Sequence, residues 1–183
     1  MANPVGNERK LGELILYISL RSLNDPRFGA TKLNKLLYFS DFLAMSRLGN
    51  PITAVAYQHL QNGPAPRHLQ EVRDGLVEKK ALAVADIPLP YGGLTLIKTY
   101  ALRKPDLSEF SGEEIALIDS LIDLHWNDNA DTMSRQSHSY VGYKMTKMFE
   151  TIPYESIFLS DAPLTDAEIY RGQELAHEFG WAA

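Results

Sequence analysis

Two consecutive segments in the first fifty residues repeat apolar side chains with the period of an α-helix, and this pattern constrains the fold most. The first segment, between about Asn7 and Leu23, places Leu11, Leu14, Ile15 and Ile18 on one helix face. Asn24-Asp25-Pro26 then ends it, because proline disfavours helical geometry in the residue before it. Thr31 can cap the second helix, which ends near Gly49-Asn50-Pro51. The sequence therefore predicts a hairpin of two helices.

In the next fifty residues, the helical spacing of apolar side chains gives way to strand-like and turn-like segments. Residues 52–60 are rich in Val, Thr and Tyr, which favours a short strand, and residues 62–66 (Asn-Gly-Pro-Ala-Pro) predict a rigid turn that continues no regular element. Residues 68–79 resume helical spacing, and two β-like runs, residues 81–87 and 94–103, flank a turn rich in proline and glycine. The order helix, helix, helix, hairpin is that of a winged-helix unit.

The second half predicts further helices. Ser111-Gly-Glu-Glu114 and Thr165-Asp-Ala-Glu168 are capping-box patterns, and residues 127–131 can cap a short helix that runs through about His138. We expect Ile169, Leu175, Ala176 and Phe179 on the inner face of the terminal helix, 165–181. The prediction is a mainly α (α+β) fold in one compact domain, 1–183, with a small antiparallel sheet and at most a seam near 105–111.

Composition excludes several classes of protein. The 183 residues contain no cysteine, so disulfide scaffolds, thiolate nucleophiles and cysteine-ligated metals are ruled out. The longest strongly apolar run, Leu14–Leu20, is far shorter than the roughly 20 residues that span a bilayer. Gly12-Glu13 before this run and Arg21 after it interrupt what would be the apolar region of a signal peptide. We expect a cytoplasmic protein with no membrane association.

No pattern of catalytic or metal-binding residues stands out. The five histidines are scattered, and the single Glu174-x-x-His177 pair lacks the second copy and the further carboxylates that a di-iron site needs. Glycine-rich phosphate loops and a nucleophile elbow are missing from the sequence. The sequence predicts no enzymatic activity, no metal and no cofactor.

Charge is distributed unevenly along the chain. Residues 1–80 carry 11 Lys and Arg against 7 Asp and Glu, whereas residues 81–183 carry 7 against 16. A winged helix can bind DNA through its third helix, but Glu71, Asp74 and Glu78 lie on that helix and would repel phosphates. Specific nucleic-acid binding is therefore disfavoured, and a winged-helix DNA-binding transcription regulator stays the alternative to a protein-binding module.

A series of short motifs resembles one known family. The motifs are Lys32-Leu33-x-Lys35-Leu36-Leu37-Tyr38-Phe39-x-Asp41, then Gly49-x-Pro51-Ile52, then Gly63-Pro64-x-Pro66, then Ser137-His138 and Ile152-Pro153-Tyr154. Their order and spacing resemble the SocA-like or Panacea antitoxin domain over about Leu11 to Leu159. Tyr143 stands where that family often has tryptophan.

The resemblance implies a function. Proteins of this family are prokaryotic or phage-associated antitoxins without enzymatic activity. Each neutralises a cognate protein toxin, usually encoded beside it, by direct binding or as a proteolytic adaptor that delivers the toxin to a cellular protease. The acidic second half suits a basic partner.

Most motif residues are expected to be structural. Leu33, Leu36, Leu37 and Phe39 have core spacing, the Gly63-Pro64-x-Pro66 turn sets the path of the chain, and Tyr38, Asp41 and Tyr57 are expected to join a polar network. For partner contact we expect surface positions beside this rigid turn, namely Tyr57, His59 and Arg67.

Overall fold

The predicted helical hairpin is confirmed in the computed structural model, which describes residues 6–89 and 95–181. Helix α1 spans Glu8–Arg21, and the Asn7 side chain caps it by accepting from the amide of Lys10. Helix α2 spans Ala30–Leu48 and ends at Gly49, whose φ of +82° suits glycine. The expected cap at Thr31 is wrong, because Gly29 precedes the helix in extended geometry without a side-chain bond.

The elements that follow confirm the predicted order and the mainly α (α+β) class. Two short strands, β1 (Tyr57–Gln58) and β2 (Ala65–Pro66), precede α3 (Leu69–Glu78), and β3 (Leu82–Pro88) and β4 (Thr95–Ala101) form the hairpin. The strand expected over residues 52–60 is reduced to β1, and the turn over 62–66 ends in β2. Residues 90–94 of the predicted hairpin turn lie outside the described residues.

After the β3–β4 hairpin, the described residues form four α-helices and one further strand. Helix α4 (Gly112–Leu124) begins with the predicted capping box of Ser111 and Glu114. Helices α5 (Ala130–Ser139) and α6 (Val141–Met145) lead to β5 (Thr151–Ile152), and α7 (Asp166–Phe179) follows. Two short 3-10 helices are also present, Leu107–Glu109 before α4 and Tyr154–Phe158 between β5 and α7.

The described strands form two separate antiparallel sheets. In the first, β1 lies between β2 and β5, so Tyr57 pairs with both Pro66 and Ile152. The second is the β3–β4 hairpin, with Leu82 opposite Ala101. Lys98 on β4 donates to the carbonyl of Leu23 at 2.9 Å, which ties the hairpin to the connection between α1 and α2.

Helix α2 lies at the centre of the hydrophobic core. Its predicted core residues Leu33, Leu36, Leu37 and Phe39 are buried, and the helix contacts α1, α4 and α5. Because α2 is surrounded by other elements, several of its polar side chains are buried as well. Buried polar groups need hydrogen-bond or ion-pair partners, so each of these side chains requires one.

The terminal helix α7 differs from the prediction. Its capping box, Thr165 with Glu168, is confirmed, and Gly180 ends the helix with a φ of +65°. The expected inner face is wrong: no residue of α7 is buried, and Phe179 is 59% exposed. Among the described residues, no helix is long and apolar enough to cross a membrane.

Candidate interaction site

The charged residues of the motif on α2 are buried and hold loops in place. Lys32 forms an ion pair with Asp25 at 2.6 Å and donates to the carbonyl oxygens of His125, Trp126 and Asp128 at 2.6 to 3.0 Å. His125 and Trp126 directly follow α4, where the negative end of the helix dipole attracts a cation. Lys32 therefore joins α2 to the end of α4 and to the loop after α1.

Asp41, nearer the carboxyl end of α2, holds the segment that follows this helix. Its carboxylate accepts from the Thr53 amide at 2.6 Å, the Thr53 hydroxyl at 2.5 Å and the Tyr57 hydroxyl at 2.8 Å. Complete burial raises the pKa of Asp41, although these hydrogen bonds oppose the shift. The predicted network of Asp41 and Tyr57 is confirmed, but the Tyr38 hydroxyl has no hydrogen-bond partner among the described residues.

The expected surface position of Tyr57 is wrong. Its side chain is 1% exposed and its ring packs edge-on against Tyr38 and Phe42, with centroids 5.7 and 5.5 Å apart. Successive residues of a strand point to opposite sides, and Tyr57 points towards α2 while its hydroxyl reaches Asp41. Tyr57 therefore serves the core and cannot contact a partner in this fold.

The remaining motif turns also have structural roles. Tyr154 donates its hydroxyl to the carbonyl of Val55 at 2.6 Å and packs against Phe42, with ring centroids 4.7 Å apart. Pro153 precedes the 3-10 helix that carries this tyrosine, and Pro51 follows the glycine that ends α2.

Lys35 holds the turn over residues 62–66 from inside. Its ammonium donates to the carbonyls of Asn62 at 2.5 Å and Pro64 at 3.4 Å. Burial lowers the pKa of Lys35 to about 8. A Cβ at Gly63 would lie 2.8 Å from the Ser137 hydroxyl and 3.0 Å from Nε2 of His138, with the Lys35 ammonium closer still. With a φ of +100° as well, only glycine fits at this position.

A stack of three rings supports the other side of this turn. The Tyr143 ring lies between His59, at a centroid distance of 3.8 Å, and His138, at 4.4 Å, with all three rings nearly parallel. Tyr143 also donates its hydroxyl to the carbonyl of Leu60 at 2.9 Å. Burial and the neighbouring Lys35 lower the pKa of His138. The sequence singles out His59, His138 and Tyr143 separately, but no periodicity indicates that their rings stack.

An exposed apolar surface, which we name the Phe149 ledge (Met145, Met148 and Phe149), lies beside this stack. Met145 and Phe149 are 73% and 67% exposed. The backbone of Phe149 has a φ of +69°, a left-handed geometry that is strained for a bulky residue. Its amide donates to the carbonyl of His59 at 2.8 Å, and the His59 amide donates to the carbonyl of Glu150 at 2.9 Å. These two bonds attach the ledge to the turn.

A cleft of about 430 Å³ separates the ledge from the start of α2. Thr31, Asn34 and Lys35 line one side of it, and Met148 and Phe149 line the other. Of the predicted contact residues, His59 is half-buried and hydrogen-bonds Thr146, while Arg67 is exposed and donates to the Thr151 hydroxyl at 3.0 Å. Both residues thus contact the segment that carries the ledge. Sequence reasoning missed the ledge itself, because its apolar residues follow no period.

The Phe149 ledge is an exposed apolar surface on a segment that backbone hydrogen bonds attach to His59. No group of three or more His, Asp or Glu residues that could hold a metal ion occurs within residues 6–89 and 95–181. Comparison with protein families identifies this scaffold: the model described as antitoxin SocA-like, Panacea domain, matches residues 33–140, more than half of the chain. The chain belongs to the SocA-like, Panacea domain family of antitoxins. Searches of curated proteins and of solved structures found no significant match.

The matched part of the Panacea domain is shorter than the resemblance predicts. It begins at Leu33, inside α2, and ends at Tyr140, just after α5, so it contains Lys35, Asp41, the 62–66 turn and the Ser137-His138 pair. Helix α1, the Phe149 ledge, the Ile152-Pro153-Tyr154 segment and α7 lie outside it. The Panacea match therefore covers the central scaffold, and the Phe149 ledge and the exposed helix α7 lie beyond its carboxyl end.

Proposed function

We propose that this chain is a non-enzymatic antitoxin that neutralises a cognate protein toxin by binding it directly through the Phe149 ledge. The observation that carries the proposal is an exposed aromatic side chain held in strained geometry beside a rigid turn. Energetically strained residues persist where the surrounding structure holds them, and such positions concentrate at functional sites.

The ledge has the properties of an interface centre. Aromatic and methionine side chains are enriched in protein interfaces, and a few such residues carry most of the binding energy. The ledge residues need little ordering when a partner binds, because the His59 backbone and the ring stack already fix their segment. The cleft behind the ledge can receive a side chain of the toxin.

Direct binding requires only this surface, whereas the proteolytic-adaptor mechanism also requires contact with a protease. A surface that binds tightly neutralises its partner stoichiometrically, without a second protein. The alternative of a winged-helix regulator has less support, because Glu71, Asp74 and Glu78 are exposed on α3, where DNA phosphates would lie.

The test is neutralisation of the toxin encoded beside this gene, with purified components and no protease. We expect full inhibition at one equivalent of the wild-type chain. Phe149→Gly removes the ring but accepts the left-handed backbone, so this variant should fold normally and bind about 30-fold more weakly, equivalent to about 2 kcal/mol.

Leu102→Ala is the matched control, because Leu102 is similarly exposed, at 58%, but belongs to the hairpin region. It should inhibit like the wild type. Inhibition that needs an added cellular protease would favour the adaptor mechanism instead, and a wild-type chain that neither binds nor inhibits the toxin would refute the antitoxin function.

A further inference from the structure

Helix α7 carries an apolar stripe that no other part of the described chain buries. Ile169, Gly172, Ala176 and Phe179 follow one another at intervals of three and four residues, so they share one face of the helix. Leu175 borders this face, and Trp181 stacks on Phe179 with ring centroids 5.4 Å apart. Arg171, Glu174 and Glu178 lie on the opposite face. This division between faces is typical of a helix that packs against another surface.

The helix is formed before any partner arrives. The Thr165 hydroxyl and the Glu168 carboxylate satisfy its first turn, and the Gly180 backbone ends it by donating to the carbonyl of Ala176. An isolated helix of 14 residues is marginal in water, and capping of both ends is worth about 1 kcal/mol at each. A partner therefore binds a helix that has already lost most of its backbone entropy.

Charge indicates the chemistry of the partner. Residues 155–181 contain six acidic residues and one basic residue, a formal charge of −5, which equals the charge of the whole chain. The other residues are balanced, with 17 of each sign. A second copy would carry the same charge of −5 over its own residues 155–181, so pairing between two copies brings like charges together and is electrostatically unfavourable.

We propose that α7 inserts its apolar stripe into a groove of the toxin that is bordered by lysine and arginine residues. This inference rests on the proposed antitoxin function and adds a second contact to the Phe149 ledge. Amphipathic helices bind apolar grooves through residues spaced as Ile169, Ala176 and Phe179 are. The carboxylates of Asp166 and Glu168 flank this stripe in the helical period and would select a basic rim. Because α7 lies outside the residues matched by the Panacea model, it can vary with the toxin while the scaffold stays the same.

The test compares two substitutions that add the same charge on opposite faces of α7 in the full-length chain. Ile169→Glu places a carboxylate on the apolar stripe, and Ala167→Glu places one two residues earlier, on the polar face. Binding to the purified toxin of the adjacent gene is measured by calorimetry. We expect Ile169→Glu to weaken binding at least tenfold and Ala167→Glu to change it less than twofold. Both variants should unfold at the wild-type temperature, because no residue of α7 is buried.

Charge neutralisation beside the stripe tests the basic rim. The double variant Asp166→Asn, Glu168→Gln keeps a capping box at the start of α7. It should bind more weakly than the wild type at low salt, and its affinity should depend less on salt concentration. An unchanged salt dependence would overturn the basic rim.

Equal affinity of Ile169→Glu and the wild type would overturn the role of α7 while leaving the antitoxin function intact, whereas a wild-type chain that does not bind overturns both. Light scattering supplies the remaining outcome. A wild-type dimer that Ile169→Glu makes monomeric would show that a second copy covers the stripe, against the proposal.

Discussion

Replacing Lys35 by methionine tests whether a buried, partly deprotonated lysine holds the 62–66 turn. The Lys35 ammonium faces the carbonyls of Asn62 and Pro64, and burial lowers its pKa to about 8. In the unfolded chain the same group has a pKa of about 10.4. Below the folded pKa, the native state must bury a charge that the unfolded state leaves in water.

The sign of the pH dependence follows from this order of the two pKa values. Between about pH 8 and pH 10 the unfolded chain binds more protons at Lys35 than the folded chain does, so raising the pH stabilises the fold. Buried Lys35 costs about 3 kcal/mol at pH 7 and about 1 kcal/mol at pH 9.5. The wild type should therefore gain about 2 kcal/mol relative to Lys35→Met over this range.

The difference between the two proteins isolates Lys35. Tyrosines whose pKa burial raises, such as Tyr38 and Tyr154, destabilise the fold at alkaline pH, but they do so equally in wild type and variant. His138 titrates below this window because its pKa is lowered. The loss of hydrogen bonds to the two turn carbonyls in Lys35→Met shifts the curve without changing its slope.

The assay is urea unfolding at pH 7.0, 8.0, 9.0 and 9.5, followed by circular dichroism. Lys79→Met is the matched control, because Lys79 is exposed and its replacement removes no buried charge. A free energy difference between wild type and Lys35→Met that stays constant from pH 7 to pH 9.5 would refute the reasoning, since Lys35 would then titrate alike in both states.

Three further predictions concern stability and binding. Gly63→Ala should destabilise the fold by at least 2 kcal/mol more than Gly49→Ala in thermal unfolding, because both glycines have positive φ but only Gly63 is surrounded by side chains; equal losses would contradict the role of the crowded site. Tyr57→Ala should lower the free energy of unfolding in urea by about 3 to 5 kcal/mol, and Tyr57→Phe by about 1 to 3 kcal/mol because it leaves an Asp41 oxygen without this hydrogen bond. A Tyr57→Ala variant as stable as the wild type would contradict the core position of Tyr57. Gel-shift titration with its own promoter at moderate salt should show only weak, non-specific retardation, and nanomolar sequence-specific binding would favour the regulator.

The helices and the two capping boxes could be predicted from sequence because their signals are local. Ser111 with Glu114, and Thr165 with Glu168, form capping boxes whose partners lie three residues apart. The core positions of α2 are equally readable, since Leu33, Leu36 and Leu37 follow the helical period. Such features need no knowledge of distant parts of the chain.

The candidate site depends on contacts between distant residues and so escaped prediction. The sequence pattern predicts Tyr57 at the surface, whereas its pairing with Ile152 and its bond to Asp41 place it in the core. The spacing of Ile169 and Phe179 correctly predicts a helix with one apolar face, but the predicted burial of that face is wrong. Periodicity shows that a face is apolar and does not show whether the same chain packs against it.

The pairing of β1 with β5 has a consequence for the order of folding. Tyr57 and Ile152 are separated by almost the whole middle of the chain, whereas the β3–β4 hairpin joins neighbours. Local contacts form in microseconds, but closing a loop this long is slow. During synthesis the Phe149 ledge can dock on His59 only after most of the chain has left the ribosome. A nascent or truncated chain would thus lack the ledge surface, and toxin binding there would report that folding is complete.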